Sequence, residues 1–263
     1  MAFIEFDQVG KTFTTQKGEA FTAVENFALT LERGEFFCLL GPSGCGKTTV
    51  LAMLAGFEAP TVGHILLDGK AVEGPSRDRG VVFQGDDSLY TWLNAGENVE
   101  FGLRLRGVPR GERHATAQRY LELVGLAGQR NKYPPELSGG MKQRIQIARA
   151  LANEPKMLLM DEPFGALDAQ TRGIMQRELR QIWRATGASV FFITHDIDEA
   201  ITLGSRVGVM TAGPGGTLKE VIPIALEGER SRTDPAYVGY YARVQETIRH
   251  EVERATRQSA EAA

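Results

Sequence analysis

Phe36-Phe37-Cys38-Leu39-Leu40-Gly41-Pro42-Ser43-Gly44-Cys45-Gly46-Lys47-Thr48-Thr49 joins a wholly apolar run to a helical one through a glycine-rich turn. The turn fits the pattern G-x-x-x-x-G-K-[ST] from Gly41 to Thr48. Each position has a chemical reason. Glycines let successive backbone N–H groups turn inward and make a concave cradle for phosphate oxygens. A helix beginning at Lys47 adds its own unsatisfied N–H groups and the positive end of its dipole. Lys47 would set its ammonium against β- and γ-phosphates, and the Thr48 hydroxyl would ligate Mg²⁺. The pattern alone points to a nucleoside triphosphate and to a sheet whose strand ends carry the ligand.

Outward from this turn, short β-rich runs alternate with helical patterns, as in a parallel sheet covered by helices. Strands are expected at 4–9, 23–31, 35–40, 64–67, 80–83, 156–160, 189–194 and 206–211, with a further short strand after Gly213-Pro214-Gly215-Gly216. Phe36–Leu40, Met157–Met160 and Val190–Ile193 are continuous apolar runs, the mark of strands buried on both faces. The chain up to about Leu31 reads as antiparallel, with Phe3, Phe6 and Phe13 among polar residues. From about Gln84 to Ala152 the pattern is mostly helical, which reads as an insert between strands. After Asp168, Met175, Leu179, Ile182 and Trp183 mark one apolar helix face. In the tail, Tyr237, Tyr241, Val244, Ile248 and Val252 form another stripe, read as docking onto the body of the domain, with a protein-contact helix as the alternative.

A second chemical element is Lys156-Met157-Leu158-Leu159-Met160-Asp161-Glu162. An apolar strand delivers two carboxylates at its C-terminal end. Asp161 is the candidate for holding Mg²⁺, and Glu162 for orienting or deprotonating an attacking water. Leu137-Ser138-Gly139-Gly140 opens a helix with a hydroxyl and free N–H groups, a second anion site in the same chain. Val81-Val82-Phe83-Gln84 and Ile193-Thr194-His195-Asp196 end two further strands in a glutamine and a histidine.

Composition bounds the function. The 263 residues carry 30 Lys+Arg against 33 Asp+Glu, a net charge of −3, which argues against a broad cationic face for duplex nucleic acid. No apolar run approaches the ~20 residues needed to cross a bilayer; the longest is Val50 to Phe57. The N-terminus has acids where a secretion signal has Lys or Arg, and two cysteines, Cys38 and Cys45, make no disulfide scaffold.

Taken together, these motifs resemble the nucleotide-binding subunit of ATP-binding cassette (ABC) transporters, over about residues 3 to 225. The resemblance implies an α/β phosphate-loop NTPase fold: a mainly parallel core sheet, an N-terminal antiparallel β subdomain and an inserted helical subdomain at about 85–152, followed by a short helical tail at 226–263. It implies that ATP and Mg²⁺ are bound by Gly41, Pro42, Ser43, Gly44, Cys45, Gly46, Lys47, Thr48 and Thr49, with Asp161 and Gln84 also serving the metal. Ser138, Gly139 and Gly140 would bind the γ-phosphate held by a second copy, and Asp168 would belong to the dimer loop Gly165-Ala166-Leu167-Asp168. Glu162, His195, Gln84 and Lys47 would be the catalytic set. Phe13 would stack on adenine, with Phe21 as its rival.

A finer resemblance, to the import branch serving nitrate, taurine and alkanesulfonates, rests on Gly74–Gln84, Trp92-Leu93-Asn94, Glu97-Asn98-Val99 and Asp161–Asp168. It implies an ATP-hydrolysing subunit working as a head-to-tail dimer on a transmembrane permease, with a separate solute-binding protein and no nucleic acid, peripheral on the cytoplasmic face of the membrane. Met141 stands where the signature more often has glutamine, Leu89-Tyr90-Thr91-Trp92 lacks the usual proline, and Gly85-Asp86-Asp87 is unusually small and acidic. The competing readings are a soluble cassette ATPase acting on ribosomes or nucleic acid, a regulatory module that no longer hydrolyses ATP, and an export subunit.

Overall fold

The computed structural model describes residues 2–15, 18–83, 88–165, 167–228 and 230–261, with side chains to residue 255 in the last helix. The chain divides into two compact units, Met1–Ser76 with Ser189–Ala263, and Arg77–Ala188.

In the first unit, β1 (Ile4–Thr14) pairs antiparallel with β2 (Ala20–Leu31) and with β4 (Val62–Leu67), and β4 carries the two-residue β5 (Lys70–Ala71). Alternation drives the start of β1: Ile4 and Phe6 are buried, Glu5 and Asp7 exposed. Both β1 and β2 extend beyond their apolar segments, because their polar ends still complete each other's backbone ladder. The second sheet of this unit centres on β3 (Phe36–Leu40), flanked in parallel by β8 (Ser189–Ile193) and β9 (Arg206–Met210), with β10 (Leu218–Pro223) antiparallel on the outer side of β9. All five residues of β3 and all five of β8 are buried, as their unbroken apolar runs predict. Phe37 stacks on Phe191 at 5.5 Å between ring centroids, and Phe6 lies 5.2 Å from Phe27 and 6.3 Å from Phe191, joining the two sheets through aromatic contact.

Three helices complete this unit: α1 (Lys47–Ala55), α6 (Ile197–Leu203) and α7 (Pro235–Glu261). The last of these packs on α6 and β9. Its inner face is Tyr237, Val244, Ile248 and Glu251, all buried, while Val252 is 46% exposed. The docking reading of the tail therefore stands, but the inward position near its end belongs to a glutamate, one residue before the expected valine.

In the second unit, β6 (Arg79–Val82) and β7 (Met157–Asp161) run parallel, Val82 opposite Met160. Between them in sequence come α2 (Ala95–Leu105), α3 (Arg110–Leu123), two single 3₁₀ turns and α4 (Gly139–Leu151). The three helices pack on one another. Asn94 starts α2 with a reciprocal cap, its side chain accepting from the Glu97 amide at 2.8 Å while the Glu97 carboxylate accepts from the Asn94 amide at 3.0 Å. The 18-residue α5 (Ala169–Thr186) follows β7, and it buries Met175, Leu179 and Ile182 with Gln176 and Arg180 beside them.

Candidate functional site: two anion cradles and three strand ends

The phosphate loop leaves β3 and runs into α1. Gly41, Pro42 and Cys45 are buried, while Ser43, Gly44 and Thr48 are exposed. Gly46 has φ +96°, and a side chain there would meet the Ala23 carbonyl at 2.6 Å and Val24 at 2.7 Å, so glycine is required twice over. As the N-cap of α1 it offers no side-chain acceptor, and no acid sits in the first turn. The positive end of α1 is thus left for an external anion.

Lys47 is buried with 7% exposure, and its Nζ donates to the Gly41 and Pro42 carbonyls at 2.7 and 2.9 Å. The ammonium is held over the cradle by the loop's own backbone. The Cys45 thiol lies 4.0 Å from that ammonium, yet burial outweighs the nearby charge and pushes its pKa up, so it stays protonated.

Phe13 and Phe21 are opposite each other in the β1–β2 register, hence on the same face of the sheet. Phe21 is 45% exposed; Phe13 is half-buried, with the Lys11 ammonium 4.8 Å from its ring centroid. The two rivals for the adenine thus share one face of the sheet.

His195 lies two residues beyond the end of β8 and is exposed. Its neighbours fix the chain around it. Thr194, 2% exposed, donates its hydroxyl to Glu199 at 2.6 Å and accepts from the Asp196 amide at 3.0 Å, and Asp196 caps α6 by accepting from the Glu199 amide at 3.1 Å. Sequence reading passed over Glu199. The signal was there in Asp196-Ile197-Asp198-Glu199, a capping spacing before an apolar run, but the Glu199 carboxylate turns to Thr194 instead of the cap.

In the second unit, β7 ends in Asp161, half-buried, and Glu162 follows at φ +42°. A non-glycine residue in that region costs ~1–3 kcal/mol and is a recurrent feature of reactive positions. The turn is closed by the Gly165 amide donating to the Glu162 carbonyl at 3.1 Å, over the fully buried Phe164.

Ser138 is the N-cap of α4: exposed, its hydroxyl accepts from the Met141 amide at 3.3 Å. No acid occupies the first turn of α4. A Cβ on Gly140 would come within 3.0 Å of the Thr171 methyl, so the signature glycine lies against the first turn of α5. That turn is capped by Asp168, which accepts from the Gln170 and Thr171 amides at 3.1 and 3.0 Å. The Thr171 hydroxyl and these amides hold the Asp168 carboxyl below its ordinary value. Gln84, with Gly85, Asp86, Asp87 and Ala166, lies outside the described residues.

Asn98, fully buried, ties the segment before α2 together. Its side chain accepts from the Tyr90 amide at 2.9 Å and donates to the Tyr90, Leu93 and Asn94 carbonyls at 3.1, 3.0 and 3.0 Å. It fixes an aromatic group in which Tyr90 lies 5.2 Å from Trp92 and 4.5 Å from Phe101, with Trp92 70% exposed. The sequence pattern singled out Tyr90, Trp92 and Asn98, but not Phe101, and gave Asn98 no such task, since its four bonds all go to backbone.

Comparison with known proteins gives consistent results. The family model described as ABC transporter matches residues 24–165. A taurine import ATP-binding protein of Burkholderia pseudomallei is 51% identical over 215 residues, 82% of this chain and 82% of that protein. A nitrate import ATP-binding protein of Synechococcus elongatus is 45% identical over 241 residues, 89% of this chain and 87% of that one. Among solved structures, a dimeric post-hydrolysis state of an ATP-binding cassette bound to ADP and phosphate superposes with a TM-score of 0.72 at 32% identity, covering 85% of this chain and 100% of the other.

Proposed function

Because the chain belongs to the ABC transporter family, we propose that it hydrolyses ATP to drive import of a small sulfonate- or nitrate-like solute, working as a head-to-tail dimer on a membrane permease. It is the ATP-hydrolysing subunit of an ABC importer. The observation that carries the chemistry is the uncapped α1 terminus with Lys47 poised over it.

ATP binding would exchange the Gly41 and Pro42 carbonyls at Lys47 for β- and γ-phosphate oxygens, while the loop amides and the α1 dipole bind the remaining charge. Phe13 and Phe21 would offer the adenine an aromatic face. The donor set suits Mg²⁺: the exposed Thr48 hydroxyl and the Asp161 carboxylate are hard oxygen ligands. When bound, the ion would neutralise charge on the phosphates. Glu162 would accept a proton from the water attacking the γ-phosphorus as the bond to the ADP oxygen breaks, and His195 would donate to the γ-phosphate. Gln84 would border the metal and water.

Ser138, Gly139 and Gly140, at the acid-free start of α4, would bind the γ-phosphate of the partner copy's ATP. That contact exists only in the closed dimer, so ATP favours closure and hydrolysis releases it. Trp92, exposed on the helical insert beside half-buried Tyr90 and Phe101, supports contact with the permease there. No described helix is long and apolar enough to cross a membrane; as an importer subunit the chain would sit peripherally at the cytoplasmic face, and a separate solute-binding protein would deliver the solute.

The test of direction and substrate is to delete the gene in its own cell and measure uptake of labelled nitrate, taurine and alkanesulfonates. Loss of one of these supports the reading. Unchanged uptake of all, with ATPase activity stimulated by ribosomes or nucleic acid, favours the soluble alternative.

A further inference from the structure

The turn that joins β9 to β10, Gly213-Pro214-Gly215-Gly216, lies directly against the phosphate loop. A Cβ on Gly216 would sit 2.1 Å from the Cys45 carbonyl oxygen and 3.1 Å from its carbon, and one on Gly213 would sit 3.2 Å from the Cys45 Cα and 3.5 Å from the Gly44 carbonyl oxygen. At the end of β9, Met210 reaches the other side of the loop, its Cβ 3.1 Å from where a Gly41 side chain would begin. Backbone therefore packs on backbone, with no side chain between to absorb a shift.

The turn itself is clamped on its remaining sides. The Gly215 amide donates to the Thr22 carbonyl at 2.7 Å, the Glu25 amide to the Gly216 carbonyl at 3.2 Å, and the Thr211 amide to the Thr217 carbonyl at 2.9 Å. At its base the Ala212 amide, 5% exposed, donates at 2.9 Å to Oε2 of Glu251, thirty-nine positions away on α7. The other oxygen of Glu251 accepts from the Lys219 ammonium at 2.7 Å. Burial opposes the Glu251 charge, but the Lys219 ammonium and the Ala212 amide overcome it and hold the carboxyl below its ordinary value. A glutamate buried to 7% exposure whose one backbone partner is the base of this turn needs a reason.

We propose that Glu251 is a positioning residue for ATP binding: through the Ala212 amide and the Gly213–Gly216 turn, the C-terminal helix holds the phosphate-loop backbone at Cys45 in its phosphate-accepting form. The inference rests on the reading that Gly41–Thr48 binds the phosphates of ATP.

The experiment measures the MgATP dissociation constant by calorimetry, and the thermal midpoint, on the full chain and six variants. Glu251→Ala should weaken binding about fivefold, the scale of one lost hydrogen bond. Gly216→Ala, which forces the two backbones apart, should weaken it more, by about tenfold or beyond. Glu251→Gln keeps an acceptor for the Ala212 amide and should bind within about twofold of the parent. Two controls loosen α7 without touching Ala212. Arg243→Met removes the ion pair with Glu220, and Tyr237→Phe removes the hydroxyl that bonds Asp198 at 2.8 Å. Both should lower the thermal midpoint and leave the dissociation constant unchanged.

Unchanged affinity in Glu251→Ala and Gly216→Ala overturns the proposal, as does affinity that simply follows the midpoint through every variant. If Glu251→Ala does not fold, Gly216→Ala against Glu251→Gln carries the comparison. Lys47→Ala separates the two layers. Normal binding in that variant removes the phosphate-loop reading and the inference with it. Lost binding there, with parental affinity in Glu251→Ala and Gly216→Ala, removes the positioning role alone.

Discussion

Lys47 holds two backbone carbonyls in place of an acid, and that choice makes it exchangeable. A carboxylate partner would compete with phosphate; carbonyls yield to it, because a charge-assisted bond to phosphate is the stronger one. Lys47→Ala should therefore weaken MgATP binding by at least about tenfold in calorimetry, with the far-ultraviolet circular dichroism unchanged. At this scale the motif residues were legible because each phosphate-binding task sits in a few consecutive positions. Glu199 and Glu251 were not. One diverts a capping carboxylate to Thr194, and the other finds its amide across a long stretch of chain. Neither partner is visible until the chain is folded.

Elements show why the strands were easier to read than the helices' polar detail. β3, β7 and β8 are apolar because neighbours pack on both faces, and their sequences say so. The outer ends of β1 and β2, and the short β5, lie beyond the buried apolar stretches, so composition gave no sign of them. Ser138 is both cap and candidate phosphate ligand. Ser138→Ala should cost about 1 kcal/mol of stability by urea unfolding, together with loss of ATP-dependent dimerisation.

The C-terminal helix α7 offers a pH test. Arg243 holds the Glu220 carboxyl below its ordinary value, at 2.8 Å, with Thr247 assisting, and Glu251 is likewise held low. Carboxyls depressed in the folded state stabilise it fully above their ordinary value of 4.5, and that stability is lost as pH falls through the folded values. Protection from hydrogen exchange along α7, taken relative to the intrinsic rate at each pH, should hold above the ordinary value of 4.5 and fall as the pH drops below it, before β3 and β8 lose protection. Simultaneous loss in all three would contradict this account of how α7 is docked.

Under the proposed function, the whole molecule carries the parts of two half-sites. One unit presents the phosphate loop, the aromatic pair and His195; the other presents Asp161, Glu162 and the Ser138 cradle. A helix start with no acid in its first turn occurs in each, at the uncapped α1 and at the serine-capped α4. Two anion cradles in a chain with one phosphate loop make sense when the second serves another copy's nucleotide. Sequence motifs already carried that logic. What they did not show is how far the supporting network reaches, from the phosphate loop through a glycine turn to the last helix.

The central claim is that Glu162 drives hydrolysis within an ATP-closed dimer. Its most direct test is size-exclusion chromatography with light scattering of Glu162→Gln with MgATP, beside a phosphate-release assay. The account predicts that turnover falls by at least about a hundredfold and that the variant accumulates as a dimer with ATP but not with ADP. Parental turnover, or a monomer in the presence of ATP, would contradict it.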